Sequence, residues 1–89
     1  MNKYLIVYDL ERRGESYEPL LNALRTLGAS HVLYSKWALR TNLTAVQLRD
    51  HLRQFVDAND KLLVVGLTGE AAWTSLFVSN DSFKQTIAA

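Results

Sequence analysis

Lys3-Tyr4-Leu5-Ile6-Val7-Tyr8-Asp9-Leu10 is the stretch on which the reading of this chain turns. Tyr4 to Tyr8 is an unbroken apolar and aromatic run with two β-branched residues, the pattern of a strand buried on both faces. A carboxylate, Asp9, stands where the run stops, and Glu11-Arg12-Arg13-Gly14 follows at once. Charges of this kind are rarely buried without partners, so an acid at a strand end beside two guanidinium groups suits a site better than a core.

Working outward, Lys61-Leu62-Leu63-Val64-Val65-Gly66-Leu67 repeats the two-sided apolar pattern and predicts a second buried strand. Between the two lie a helix, a long extended segment and another helix. Ser16 is the expected cap of the first helix, Pro19 falls in its first turn, and Tyr17, Leu20, Leu21, Leu24 and Leu27 make one apolar stripe. Gly28 closes it. His31 to Arg40 reads as one long strand, or two short ones meeting at a bend or bulge. On it, Trp37 and Leu39 share one side with Leu33 and Ser35, and Val32, Tyr34, Lys36 and Ala38 share the other. Thr44 and Gln47 then spell a capping box, with Leu43 placed to staple onto Leu48; Leu48, Leu52, Phe55 and Val56 face inward. Asp57 to Asp60 is a turn. In the tail, Ala71 to Val78 fits either a short edge strand or a helical turn carrying Trp73. Phe83 and Ile87, behind Asp81 as cap, predict a last short helix.

Counting the long segment as two strands, the order is β-α-β-β-α-β, which defines an α+β, ferredoxin-like sandwich: an antiparallel sheet with two helices on one face. Residues 1–89 form a single domain, with 70–89 its least determined part. Two strands are apolar on both faces, yet two helices cover only one. The other face needs either a second copy around a two-fold axis, the preferred solution, or the chain's own tail.

Composition narrows the chemistry. With no cysteine there is no disulfide, thiolate metal site or thiol nucleophile. A chain of this length buries only about 60 to 65% of its unfolded surface, which makes association a natural source of further stability. Neither a secretory leader nor a membrane span is read in the sequence, so a cytoplasmic protein is expected. Net charge is only +1, but Arg12 to Arg53 holds seven bases against three acids, and from Asp57 onward there are two bases and four acids. That asymmetry is compatible with one positive face, and equally with ordinary solvated surface. Ser35 has no nucleophile-elbow context, His31 and His51 read as packing or surface residues, and the scattered glycines form no phosphate loop. Tyr4, Tyr8, Tyr34 and Trp37 are core or interface rings in the simplest reading, and base-stacking surfaces in the alternative.

In order and spacing, residues 3 to 67 resemble the small CRISPR-associated endonuclease family of the Cas-two type, and its stand-alone SinR-like and virulence-associated D toxin relatives. Tyr8-Asp9 closing the first strand, and Ser35 with an aromatic two residues later, carry the resemblance. It implies a ferredoxin-like homodimer in which first-strand aspartates of two subunits face each other and can hold a divalent ion, magnesium. Some members of the family hydrolyse RNA or DNA; others serve as a platform for an integrase and a duplex. Carried onto this chain, Asp9 becomes the metal ligand, Arg12 or Arg13 a phosphate contact, and Ser35 a polar residue near the site. Asp9, Arg12, Arg13 and Ser35 are thus the candidate catalytic residues, and Arg12, Arg13, Lys36 and Arg40 the candidate nucleic-acid contacts. The chain departs from the family pattern in a thinner basic run after Asp9, in Lys36-Trp37, and in its low net charge. One carboxylate is a poor magnesium site, whereas two related by an axis suffice. The competing reading makes Asp9 the cap of the turn after the strand, paired with Arg12 or Arg13. At the level of function, the alternative to a nuclease or platform is a non-catalytic interaction domain or one half of a toxin–antitoxin pair.

Overall fold

The computed structural model describes residues 1–11 and 17–88. Its elements run β1 (Asn2–Asp9), α1 (Glu18–Thr26), β2 (Ser30–Leu33), β3 (Lys36–Thr41), α2 (Ala45–Arg53), β4 (Lys61–Gly66) and α3 (Asn80–Ile87). The four strands form one sheet in the order β4-β1-β3-β2, and every neighbouring pair is antiparallel. This is the ferredoxin-like sandwich, with β1 paired to β3 and β4 at the centre of the sheet.

Alternation along the strands sorts the side chains into two cores. Tyr4, Ile6 and Tyr8 of β1, with Trp37 and Leu39 of β3, meet Leu20 and Leu24 of α1 and Leu48 and Leu52 of α2. Buried among them, the Trp37 indole N–H donates to the Tyr8 hydroxyl at 3.0 Å. Two of the rings considered as stacking surfaces, Tyr8 and Trp37, are therefore core, as is Tyr4, whose hydroxyl donates to the Leu43 carbonyl.

Helix ends follow the local sequence. α1 stops in a Schellman motif: the Gly28 amide donates to Arg25 O and the Ala29 amide to Leu24 O, with Gly28 at φ +86°. Its Ncap position is Tyr17, without a side-chain cap; Ser16, the expected cap, lies outside the described residues. At α2 the capping box forms as read, the Gln47 amide donating to Thr44 Oγ1 at 3.2 Å and the Thr44 amide to Gln47 Oε1 at 2.9 Å. Thr44→Ala is expected to cost about 1 kcal/mol, a fall in Tm of roughly 4 to 8 °C for a domain of this size, measurable by thermal unfolding.

His31 to Arg40 is two strands joined by a tight hairpin at Tyr34-Ser35, where Ser35 takes a left-handed backbone (φ 57°). The register also shifts between His31 and Leu33. The tail is neither edge strand nor helical turn from Ala71 to Val78; it runs irregularly, and the Phe77 amide donates to Val32 O of β2. α3 follows, capped by Ser79, whose hydroxyl accepts from the Ser82 amide; Asp81, the expected cap, sits in the first turn.

The tail lies on the sheet face opposite α1 and α2. Phe83 and Ile87 bury Val32 and Ala38, with Leu5, Leu67 and Trp73 around them. Two cations fasten the end of α3: Lys3 Nζ donates to Ile87 O at 2.9 Å and Arg40 Nη1 to Gln85 O at 3.2 Å, each meeting the negative end of the helix dipole. Gly69 turns the chain beside them at φ +100°, where a Cβ would stand 3.3 Å from Ile87 O.

Candidate functional site

The tail covers the second sheet face only in part. Over β1 and β4, Val7, Leu63 and Val65 point away from the two-helix core and lie outside the α3 cluster; Leu63 is 56% and Val65 39% exposed. The question of whether a second copy or the tail covers this face thus has a divided answer: the tail takes the β2–β3 side and leaves an apolar strip open along β1 and β4.

Asp9 stands at the end of that strip. It is the last residue of β1, exposed, and directly opposite Lys61 in the antiparallel register. The two flank a shallow hollow of about 120 Å³ with Val7 and Leu63, far smaller than the roughly 300 Å³ at which small-molecule pockets begin. Among the described residues, none donates a hydrogen bond to the Asp9 carboxylate. Capping of the turn after β1 is done by Asp60 instead. Its Oδ1 accepts from the Glu11 amide at 2.7 Å and from the Tyr17 hydroxyl at 3.3 Å, and its Oδ2 from the Asp57 amide at 2.7 Å. Asp60 therefore ties the start of β4 to the exit of β1 and leaves Asp9 to face solvent.

Ser35 is brought to the same end of the sheet. Its carbonyl accepts from the Tyr8 amide at 3.1 Å, one residue before Asp9. Lys36 bends back onto its own hairpin, Nζ donating to Tyr34 O at 3.2 Å. Arg40 sits at the opposite end of β3, opposite Lys3, and is engaged with α3, so it does not join Asp9. Arg12 and Arg13 lie outside the described residues. On α2, Arg49 and Arg53 both approach Asp50, an exposed arrangement worth little in stability.

Two residues of this region were not singled out from sequence. Lys61 is placed opposite Asp9 only by a strand register that joins distant segments. Asp60 did carry a signal, because Asp-rich turns commonly bond their own backbone.

No group of three or more His, Asp or Glu side chains among the described residues is placed to hold a metal ion. Asp60 already accepts from three donors, whereas no described residue donates to the Asp9 carboxylate. A single carboxylate does not make a magnesium site, so the described residues of one chain do not by themselves fit the ion. No described helix is long and apolar enough to cross a membrane. No protein-family model matches the sequence.

Proposed function

We propose that this chain works as a homodimer of the Cas-two type, binding RNA or DNA in the cytoplasm and acting on its phosphodiester backbone. One observation carries the reading: an exposed Asp9 ends the central strand beside an apolar strip that the chain's own tail leaves uncovered. Strip packed on strip around a two-fold axis would bury Leu63 and Val65 and bring two Asp9 carboxylates toward the axis. Such a pair, with waters and a substrate phosphate, is the oxygen set that magnesium takes, and the bound ion would supply charge neutralisation at the phosphate. Lys61, opposite Asp9, would contribute a positive charge to the same edge.

A dimeric platform without cleavage, such as one that seats an integrase, is the second reading, favoured by the lack, among the described residues of one chain, of three or more acids or histidines placed to hold a metal ion. Asp9→Asn separates the two. In the nuclease reading, magnesium-dependent cleavage of single- or double-stranded substrates falls to background while dimer mass and binding persist. Cleavage by pure protein that survives both Asp9→Asn and a chelator overturns the shared-ion mechanism. Wild-type binding without cleavage, unchanged by Asp9→Asn, selects the platform. Failure of both RNA and DNA to bind at low salt, where phosphate contacts are strongest, overturns the proposal as a whole.

A further inference from the structure

We propose that the tip of the β2–β3 hairpin is a stacking site for unpaired bases, with Tyr34 and Phe77 as the rings and Lys36 as the backbone contact. The inference rests on the nucleic-acid reading above and specifies which part of the polymer this corner of the molecule takes. Tyr34 is 81% exposed and Phe77 55%, two large rings held in solvent side by side. They are not loose. Their centroids lie 5.3 Å apart at 88°, and Phe77 in turn meets His31 edge-on at 5.3 Å. His31 stacks on the buried Trp37 at 4.5 Å and 11°, so a chain of rings runs from the core to the surface. Below the tip, the Ser35 carbonyl is pinned by the Tyr8 amide, and the tail is pinned to β2 by the bond from the Phe77 amide to Val32 O. A ring already ordered loses little freedom when a base stacks on it.

Charge selects the partner. Lys36 Nζ donates to the Tyr34 backbone carbonyl at 3.2 Å, which holds an ammonium at the same hairpin turn that carries the Tyr34 ring. Aromatic faces next to a cation are what a flexible single strand requires: stacking for the base, a positive group for the phosphate. A duplex presents its bases already stacked and would gain only the second. The hairpin abuts the end of β1, where the Ser35 carbonyl accepts from the Tyr8 amide, one residue before Asp9.

The test is fluorescence anisotropy with a labelled oligothymidylate, an abasic oligomer with the same number of phosphates, and a duplex. Tyr34→Ala is expected to weaken oligothymidylate binding about tenfold and to leave abasic and duplex binding unchanged, while Tyr34→Phe retains wild-type affinity. Lys36→Met is expected to reduce the salt slope by about one, which Tyr34→Ala does not. Equal affinity of wild type for oligothymidylate and the abasic oligomer overturns the inference, as does a Tyr34→Ala protein that binds like wild type. Equal losses in Tyr34→Ala and Tyr34→Phe also overturn it, because they assign the effect to the hydroxyl. These results leave the broader functional reading standing; absence of binding to every oligomer at low salt removes both.

Discussion

Phe83→Ala is expected to lower the unfolding free energy by about 3 kcal/mol or more, with its effect on chain stability and not on association. Phe83 is the largest side chain that α3 contributes to the second core, packed against Val32 and Ala38 and meeting Trp73 edge-on at 4.7 Å. Truncation leaves a cavity between helix and sheet and removes a ring contact from Trp73, whose indole N–H is already committed to Asn80 Oδ1 at 3.0 Å. A domain of this size has roughly 5 to 10 kcal/mol to lose, so the variant sits near the limit of folding. Urea denaturation followed by circular dichroism reads the change directly. A loss below about 0.5 kcal/mol, the scale of an ordinary surface substitution, would mean that α3 is not docked on the sheet.

Leu63→Glu, on the same sheet face one strand beyond the tail, is expected to do the opposite. In a single chain Leu63 is mostly exposed, so a glutamate there costs the fold little. In a dimer packed strip on strip, the same carboxylate would be buried without a partner, twice, across the axis. The penalty of several kcal/mol weakens association by about a hundredfold or more. Size-exclusion chromatography with light scattering should therefore find monomer for Leu63→Glu under conditions where wild type is dimeric, with unchanged secondary structure. A variant that stays dimeric places the interface elsewhere and separates Asp9 from its proposed twin. The two substitutions form a pair: one sheet face, one half closed by the chain itself and the other, in the proposed dimer, closed by a second copy.

Much of this was legible because it is local. The capping box at Thr44 and Gln47, the helix stop at Gly28 and the strand through Tyr4–Tyr8 each depend on residues within a few positions of one another, and all appear in the fold. The hairpin was half visible. Tyr34-Ser35 has no glycine or asparagine to announce a turn, so a left-handed serine turned the chain where a bend or bulge was also plausible. What could not be read was the division of the second sheet face. It depends on where α3 lands, and that landing is fixed by Lys3 and Arg40 reaching the carbonyls of Ile87 and Gln85, contacts that span 84 and 45 residues. The same long reach sets Arg40 against the end of a helix, at the far end of β3 from Asp9. At the site, the sequence offered Asp9 as a possible cap of the turn after β1, and only the pairing of β1 with β4 brings Asp60 there to take that role.

Sedimentation equilibrium of the wild-type protein over a wide concentration range is the most direct test of the central claim, that the strip of Val7, Leu63 and Val65 is closed by a second copy. The expected result is a reversible association to twice the chain mass, with no larger species. A single chain mass at every concentration would contradict it, leaving Asp9 a lone carboxylate on the surface of a monomer.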